Sequence, residues 1–260
     1  MFTIKQHLMA QSIEEGYKTL MKNRNNVILG GTAFLRLGNK NINIGIDLSN
    51  LELDYIREDE KNIEIGPMTT FREIETNKIL KENFDGIVAK SVEEIVGIQL
   101  RSVITAGATV ASKYGFSDFI TALLSLNTQV ELYKGGVISL EEYLAVEKVP
   151  KDILVKIIIK KYGKRATFKT MRNSKSDYAI LNCAVSNLDG EYRIAVGARP
   201  GRAVVKTINS DELIKNNKMT EKIEEMVDGM KFGTNMRASG EYRKMIAKVL
   251  IRRCVEELNN

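Results

Sequence analysis

Two patterns of apolar and polar positions divide the chain near residue 150. Up to that point short apolar runs alternate with helix starts, and the first elements give a β-α-β beginning. Apolar runs and period-two alternation predict strands over residues 1–5, 27–29, 42–46, 53–57, 62–66, 100–106, 130–133 and 137–140. Gly135-Gly136 predicts a hairpin between the last two strands, since glycine accepts the positive φ angles of a primed turn.

The predicted helices of this part begin at capping boxes, in which a Ser or Thr oxygen and a Glu carboxylate each satisfy a free N–H group. Three such boxes run from Ser12 to Glu15, from Thr70 to Glu73 and from Ser91 to Glu94. We expect their helices to end near residues 25, 81 and 96. Ser117 or Asp118 caps a fourth helix, which carries an apolar run to residue 126.

Beyond Pro150 the pattern changes to strands without intervening helices. These strands cover residues 153–159, 165–171, 179–187 and 192–197, with Asp189-Gly190 as a hairpin turn, and they predict an antiparallel meander. From Asp211 onward the chain is helical. A long apolar face at helical spacing, expected to pack in the core, is formed by Tyr242, Met245, Ile246, Val249, Leu250 and Val255.

Two runs of small residues interrupt the first part of the chain. The first is Val27-Ile28-Leu29-Gly30-Gly31-Thr32-Ala33-Phe34, and the second is Thr105-Ala106-Gly107-Ala108-Thr109-Val110-Ala111. Short side chains let a ligand approach the backbone, and paired arrays of peptide N–H groups suit a pyrophosphate. A Gly-Gly pair after a strand is more often only a tight turn. We therefore expect the two runs to lie side by side if they share one ligand.

Composition narrows the chemistry that the chain can perform by itself. Of its 260 residues 43% are hydrophobic and 28% are charged, and the first 50 residues contain no apolar run of membrane-spanning length. We expect a cytoplasmic protein with no membrane insertion. Cys183 and Cys254 stand alone and His7 is the single histidine, so the chain offers no metal or iron–sulfur ligand set and no evident Ser-His-Asp triad. Redox or transfer chemistry would need a bound cofactor.

The net charge of +6 includes one dense basic run. Its members are Lys156, Lys160, Lys161, Lys164, Arg165, Lys169, Arg172 and Lys175. Interleaved with β-branched residues, such a run is typical of the solvated face of strands, and no nucleic-acid-binding module accompanies it. We expect no nucleic-acid partner, whereas an acidic protein surface or an anionic cofactor would use the same charge.

Four stretches resemble one family. Residues 27–34 resemble an Ala-Gly-Gly-Thr-Asp-Leu-type FAD loop, and residues 99–111 with Ser117-Asp118 resemble the Gln-Ile-Arg-Asn and Thr-Ile-Gly-Gly-Asn-Leu-Ala segments with a later Ser/Ala-Asp. Residues 168–179 resemble a lysine-arginine stretch, and residues 235–243 are similar to an Arg-Ala-Ser-x-x-Tyr-Arg motif near the C-terminus. The family is the flavin-binding subunits of the molybdenum hydroxylases, which include xanthine dehydrogenase and the aerobic-type carbon monoxide dehydrogenases.

The resemblance implies an α+β fold. It predicts a two-subdomain FAD-binding domain of the vanillyl-alcohol-oxidase (PCMH) type over residues 1–149, with subdomains of about 1–52 and 53–149 that enclose FAD. A C-terminal domain of antiparallel sheet and helices, like that of carbon monoxide dehydrogenase flavoproteins, follows over residues 150–260.

The resemblance also implies the residues that contact FAD. The pyrophosphate and ribityl portions would be held largely by backbone N–H groups of the two runs, with Asp118 as a polar contact and Ile95 near the adenine. Leu154 and Lys169 would lie near the isoalloxazine ring, where an ammonium would favour the anionic reduced flavin, unless Lys169 is only an exposed strand lysine. The predicted set is Val27, Ile28, Leu29, Gly30, Gly31, Thr32, Ala33, Phe34, Ile95, Thr105, Ala106, Gly107, Ala108, Thr109, Asp118, Leu154 and Lys169.

Several of these positions depart from the family pattern. Ala33 replaces an acidic residue, while Ala108 and Thr109 replace Gly and Asn. Alanine adds only a methyl group and threonine keeps a hydroxyl, so a flavin site remains feasible. Ile95 stands where some relatives place an aromatic residue, so apolar packing would replace stacking on the adenine.

The implied role is electron transfer within a hetero-oligomer. A molybdenum-cofactor subunit carrying molybdopterin would oxidise the substrate, and a [2Fe-2S] iron–sulfur subunit would pass electrons to FAD on this chain and then to NAD⁺ or another acceptor. Two alternatives stay open. One is a free-standing FAD reductase like the enolpyruvyl-glucosamine reductase of cell-wall synthesis, and the other is a structural subunit that has lost FAD.

Overall fold

The structure is a computed structural model that describes residues 1–146, 151–161, 165–214 and 219–260. It consists of two compact units, each assembled from separate stretches of chain. The first comprises residues 1–74, 97–112 and 128–159, and the second comprises residues 75–96, 113–127 and 160–260. The predicted domain boundary at residues 149 and 150 lies outside the described residues, so the division into domains stays a prediction.

The strands and helices follow one another in this order. The strands are β1 (Thr3–Met9), β2 (Val27–Leu29), β3 (Asn41–Asp47), β4 (Ile56–Glu58), β5 (Asn62–Ile65), β6 (Thr128–Leu132), β7 (Gly136–Ser139), β8 (Leu154–Lys160), β9 (Arg165–Met171), β10 (Leu181–Leu188), β11 (Glu191–Gly197) and β12 (Val204–Asn209). The α-helices are α1 (Ile13–Lys22), α2 (Phe71–Thr76), α3 (Lys78–Glu82), α4 (Ile87–Glu93), α5 (Ile98–Arg101), α6 (Ala106–Ser112), α7 (Asp118–Ser125), α8 (Leu140–Ala145), α9 (Ser210–Ile214), α10 (Met219–Asp228) and α11 (Gly240–Asn259). Short 3₁₀ turns occupy Leu35–Leu37, Ser49–Leu51 and Phe84–Gly86.

The first unit contains two sheets. A three-stranded parallel sheet has the order β1-β3-β2, and α1 packs on it after Ser12, whose side chain accepts a hydrogen bond from the Glu15 N–H group. The second sheet has the order β4-β5-β8-β6-β7. One apolar cluster of this unit is formed by Ala10, Leu20, Ile46, Leu48, Leu53 and Ile153. The predicted β-α-β beginning is confirmed.

The second unit is built on the antiparallel sheet β12-β11-β10-β9. Alternate residues of β10 serve its two faces, as the period of a strand requires. Cys183 and Val185 join the core beneath α11, while Asn182 and Ser186 hydrogen-bond to residues of α7. Helices therefore cover both faces of this sheet. The apolar core between the sheet and α11 also contains Tyr192, Ile194, Ala247, Ile251 and Val255.

The four-strand meander was predicted with the wrong members. The strand predicted over residues 153–159 forms as β8 but pairs with β6 in the sheet of the first unit. The fourth strand of the meander is β12, which the sequence analysis missed. Its Val204 to Asn209 run alternates little and was obscured by the glycine and arginines that precede it. Periodicity identifies a strand without naming its partners.

The second small-residue run was predicted to follow a strand, and this was wrong. Residues 98–101 form α5, and Ala106 begins α6. The β-branched residues Val103, Ile104 and Thr105 indicated a strand, but they form only the short link between these two helices. Only an isolated bridge between Thr70 and Thr105 retains strand character.

Two other helix predictions need correction. Ser91 lies inside α4 rather than before it, and its hydroxyl donates to the Val88 carbonyl at 2.8 Å, as serine does within helices. The helix predicted from Thr70 to residue 81 is divided at Asn77, whose side chain accepts from the Leu80 N–H group and starts α3. Serine and asparagine side chains can both cap a helix N-terminus. Tertiary packing decides at which of these residues a helix begins.

The buried face of α11 differs from the predicted one. Met245 is 54% exposed and Val249 is 38% exposed. The sheet is instead covered by Arg243, Ala247, Leu250, Ile251, Cys254, Val255 and Leu258. Arg243 takes a core position that hydrophobicity alone would give to an apolar residue. Cys183 and Cys254, isolated in the sequence, both lie in this core as free thiols.

Four members of the basic run are paired with carboxylates. Lys156 contacts Glu64 at 2.8 Å within the first unit. In the second unit the pairs are Arg165 with Asp85, Lys169 with Glu257 and Arg172 with Asp118. Lys164 lies outside the described residues. These pairs use much of the charge that an acidic partner would need.

No helix in the described ranges is long and apolar enough to cross a membrane.

Arg243 is the side chain on which the C-terminal Arg-Ala-Ser-x-x-Tyr-Arg motif depends. Its side chain is buried, with 1% exposure. Its guanidinium donates to the Ile180, Gly233 and Ala238 carbonyls and to Asn235 Oδ1, at 2.6–2.8 Å. We expect Arg243→Met to lower the free energy of unfolding by roughly 3 kcal/mol or more, because each unsatisfied buried acceptor costs about 1–3 kcal/mol.

Denaturant unfolding followed by circular dichroism measures this change. Arg253→Met on the exposed side of the same helix is the matched control and should change stability by less than about 0.5 kcal/mol. Equal losses for the two variants would contradict the structural role of Arg243.

Candidate functional site

The Gly30-Gly31 bend lies at the carboxyl end of β2, in the parallel sheet of the first unit. The carboxyl ends of parallel strands are the usual place for ligands in such sheets. β2 is an edge strand, and its residues Val27, Ile28 and Leu29 are half-buried. The glycine bend therefore lies next to a partly exposed apolar strand at the edge of the sheet.

Asn26 fixes the entry to this bend. Its Nδ2 donates to the Thr19 carbonyl at 2.6 Å, and its Oδ1 accepts from the Ile44 N–H group at 3.1 Å. Lys151 Nζ donates to the carbonyls of Asn23, Arg24 and Asn26 at 2.8–3.0 Å, so an ammonium occupies the turn between α1 and β2. Neither residue was singled out in the sequence, where a lone Asn and a lone Lys carry no motif.

The bend itself has an unusual backbone. Gly31 and Thr32 have φ angles of +57° and +58°, and the Thr32 N–H group donates to the Gly30 carbonyl at 2.5 Å. The N–H groups of Gly31 and Ala33 donate no hydrogen bond to any residue that the structure describes. Half-exposed, undonated N–H groups in a tight bend suit an anionic oxygen.

The second run uses its N–H groups differently. Those of Ala106 and Gly107 donate to the carbonyls of Thr69 and Pro67, at 2.9 and 2.8 Å. Those of Ala108 and Thr109 donate to the hydroxyl and carbonyl oxygens of Thr105. Backbone N–H donors for an anion are therefore available in the first run. The second run supplies the surface against which the first run packs.

The two runs lie side by side, as predicted. A Cβ added to Gly30 would lie 2.8 Å from Thr105 Oγ1 and 2.9 Å from Ala108 Cβ. A Cβ on Gly31 would lie 1.4 Å from the Val103 carbonyl oxygen, which no side chain can tolerate. Gly31 is therefore required by the close approach of the Val103 backbone, and Gly30 by the Thr105 and Ala108 side chains.

The segment Pro67–Thr70 is part of this arrangement and was missed in the sequence. A Cβ on Gly107 would lie 2.4 Å from Pro67 Cβ, so the start of α6 rests on the proline. The Phe71 N–H group donates to the Ile104 carbonyl from the other side. The signal that could have revealed it is Gly66-Pro67 before a capping box, a turn placed between a strand and a helix.

Asp47 is the carboxylate at the end of the neighbouring strand β3, in register with Leu29. Ser49 donates to its Oδ1 through both N–H and hydroxyl groups, and His7 Nε2 lies 3.5 Å from its Oδ2. Burial raises the pKa of Asp47, but hydrogen bonds from Ser49 and His7 outweigh burial and lower the pKa below its usual value. Asp47 is therefore ionised at neutral pH, with hydrogen-bond donors on its carboxylate oxygens.

Leu154 lies in the same unit as the two runs, but on its other sheet. It is buried on β8 and pairs with Leu132 on β6. Ile95, Asp118 and Lys169 belong to the second unit. Ile95 follows α4 and is half-buried. The proposed FAD contacts of these four residues stay predictions.

Asp118 has a structural environment of its own. It is 4% exposed, with Arg172 Nη2 at 2.5 Å from one carboxylate oxygen and Asn182 Nδ2 at 2.6 Å from the other. Burial raises the pKa of Asp118, and Arg172 and Asn182 act in the opposite direction. Both oxygens are occupied, so this side chain joins α7 to the sheet.

Lys169 is an ion-paired residue rather than the exposed strand lysine that was the alternative. Its Nζ donates to Glu257 on α11, and Thr167 donates to the same carboxylate at 2.7 Å. The hydrogen bond from Lys169 holds the pKa of Glu257 below its usual value. Glu257 is therefore ionised at neutral pH.

The contact between the two runs can be broken by one methyl group. We expect Gly31→Ala to force the runs apart and to remove most of any bound FAD, because its Cβ would overlap the Val103 carbonyl. Gly136→Ala is the matched control, since Gly136 has a φ of +67° but no atom within 4 Å of its added Cβ.

FAD content after purification and the denaturant midpoint measure both variants. Gly136→Ala should cost about 1 kcal/mol of stability and no FAD. Normal FAD content in Gly31→Ala would show that the contact is not needed for binding.

Comparison with known proteins agrees with this geometry. Residues 3–160 match the FAD binding domain in molybdopterin dehydrogenase, and residues 166–258 match the CO dehydrogenase flavoprotein C-terminal domain. The glyceraldehyde dehydrogenase medium chain of Sulfolobus acidocaldarius is 23% identical over 97% of each chain. The nicotinate dehydrogenase FAD-subunit of Eubacterium barkeri is 30% identical over 34% of this chain and 29% of that protein.

Solved structures show the same fold. Reconstituted CO dehydrogenase from Oligotropha carboxidovorans gives a TM-score of 0.84 at 20% identity, covering 98% of this chain and 96% of that chain. Quinoline 2-oxidoreductase from Pseudomonas putida 86 gives 0.81 at 20% identity, covering 99% and 96%. The α+β fold class is therefore confirmed, and the chain belongs to the family of FAD-binding flavoprotein subunits of the molybdenum hydroxylases.

Proposed function

We propose that this chain takes electrons from an iron–sulfur subunit and passes them, through FAD, to NAD⁺ or another acceptor. A separate molybdenum-cofactor subunit would oxidise the substrate. The observation that carries the proposal is the match of residues 3–160 to a family of FAD-binding domains, together with the adjoining small-residue runs in that part of the chain.

The residues of the bend fit the diphosphate of FAD. Gly31 and Ala33 offer undonated peptide N–H groups, and no acidic side chain lies within either run. The nearby Asp47 is held by Ser49 and His7. A bend with undonated main-chain N–H groups, and with no acidic side chain in either run, favours an anion. FAD, when bound, supplies a centre that accepts and releases electrons.

The division of labour follows from the ligands that the chain contains. A [2Fe-2S] cluster takes four protein ligands, and this chain has two cysteines, both buried in one apolar core. We therefore assign the iron–sulfur cluster and molybdopterin to partner subunits. The names of two relatives, a medium chain and a FAD-subunit, support an assembly of separate subunits.

The free-standing reductase is the weaker alternative. Residues 166–258 match a C-terminal domain of CO dehydrogenase flavoproteins, which favours a subunit of a larger enzyme. Loss of FAD, the third reading, is disfavoured by the intact contact between the two runs, since Ala33, Ala108 and Thr109 leave it closely packed.

Two spectroscopic experiments test the proposed electron path. The purified chain should show flavin absorption bands, and anaerobic NADH should bleach them if NAD⁺ is the acceptor. In the complex coexpressed with its iron–sulfur and molybdenum subunits, the substrate should bleach the flavin only when the iron–sulfur subunit is present.

The possible failures separate the parts of the proposal. A chain that cannot be reconstituted with FAD removes the whole proposal. Flavin that is reduced by substrate but not by NADH removes only NAD⁺ as acceptor. Substrate-driven bleaching without an iron–sulfur subunit would support the free-standing reductase.

The Lys169–Glu257 pair gives a second prediction, in which two variants shift the reduction potential of bound FAD in opposite directions. If its ammonium stabilises negative charge on reduced flavin, Lys169→Met should lower the reduction potential of bound FAD, by roughly tens of millivolts. Glu257→Gln removes the paired negative charge and should raise the potential. Spectroelectrochemical titration measures both, and unchanged potentials in both variants would leave the pair with a structural role alone.

A further inference from the structure

The strand that leads to the glycine bend is short. β2 has three residues, lies at the edge of the parallel sheet and pairs with β3 through all three. A slip of one residue along β3 would move the bend by about 3.3 Å. Such a shift would break the fit of Gly31 against the Val103 carbonyl, where an added Cβ would lie 1.4 Å from the oxygen. Three paired residues determine a register only weakly, so contacts outside β2 matter.

Lys151 supplies such a contact at the entry to β2. Its ammonium donates to the carbonyls of Asn23, Arg24 and Asn26, at 3.0, 2.8 and 3.0 Å. These carbonyls follow the C-terminus of α1, the negative end of the helix dipole, where a cation is favourable. An ammonium has three N–H donors, so all of them are used in this turn. Asn26 is the last residue before β2, and the contact therefore reaches the start of the strand.

The backbone that follows Lys151 is itself held in place. The Asp152 carboxylate accepts from the N–H groups of Lys134 and Gly135, in the turn between β6 and β7, at 2.8–3.2 Å. Ile153 is buried in the apolar cluster of the first unit, with 2% exposure. The side chain of Lys151 therefore ties the entry of β2, in one sheet of this unit, to a turn of the other sheet.

We propose that Lys151 is a positioning residue for FAD, because it fixes the register of β2 and thereby places the peptide N–H groups of the Gly30-Gly31 bend. Lys151 acts through the turn and the strand and not on the flavin itself. Without its ammonium the correct bend is populated for a smaller fraction of the time, and the affinity for FAD falls by that fraction. The inference rests on the proposed binding of FAD at the bend, but the order of β2 can be measured without FAD.

Amide hydrogen exchange of the flavin-free chain measures that order. Lys151→Met keeps an unbranched side chain and removes all three donors, so the paired N–H groups of β2 should exchange faster, by on the order of tenfold. Lys18→Met is the matched control, because the Lys18 side chain is 67% exposed on α1 and pairs with Glu14 at the surface. The control should leave exchange in β2 unchanged.

Flavin titration measures the consequence for the ligand. Lys151→Met should weaken the binding of FAD by on the order of tenfold and leave riboflavin unaffected, because the bend contacts the diphosphate that riboflavin lacks. A loss of general stability would weaken both ligands alike. Circular dichroism confirms folding, which is expected because Lys151 is exposed.

Chemical rescue provides a third arm, and it also tests the proposal should Lys151→Met fail to fold. Lys151→Ala removes three carbons and the ammonium, which are the atoms of propylammonium. Adding propylammonium should restore FAD affinity in this variant. Propanol, which has no charge, and tetramethylammonium, which has no N–H donor, should not restore it.

Several results would overturn the proposal. Unchanged exchange in β2 of Lys151→Met removes the positioning role. Equal losses of FAD and riboflavin affinity, or equal effects of propylammonium and propanol, leave Lys151 with a role in stability alone. If the unaltered chain binds no FAD, the proposed function fails, whereas exchange in β2 still decides whether Lys151 places the bend.

Discussion

Close contact between two stretches of backbone is the constraint on which the first unit depends. Gly31 lies so near the Val103 carbonyl that even one methyl group would overlap it, and Gly30 has Thr105 and Ala108 against it. At Gly31 no side chain of any size fits, and at Gly30 the space is already filled by the Thr105 and Ala108 side chains. The small residues are therefore required first for packing, and the bend that they permit exposes main-chain donors to an anion.

The backbone N–H groups of the two runs have different partners. The N–H groups of residues 106–109 are used inside the protein, by Pro67, Thr69 and Thr105. Those of Gly31 and Ala33 are not used by the described residues. One run is therefore a support and the other is the candidate anion-binding element. We therefore expect Ala108 and Thr109 to be compatible with FAD binding, since a methyl and a hydroxyl group fit a supporting surface.

Sequence reasoning succeeded where local chemistry decides the structure. The cap at Ser12, the Asp189-Gly190 hairpin and the glycine bend after Leu29 all formed as predicted. It failed where distant residues decide. The partner of β8 and the burial of Arg243 depend on residues far along the chain, and the ion pair of Lys169 needs Glu257. The fold class and FAD came from family resemblance, which carries such long-range information in its motifs.

Binding of FAD compared with riboflavin is the most direct measurement of the central claim. Riboflavin has the same ring system but no diphosphate, so a site that depends on main-chain donors to phosphate should discriminate strongly between them. Equilibrium titration of the flavin-free chain should show one FAD bound per chain and riboflavin bound at least about a hundredfold more weakly, a difference of roughly 2.7 kcal/mol. Equal affinity for the two ligands, or no binding of FAD, would contradict the account.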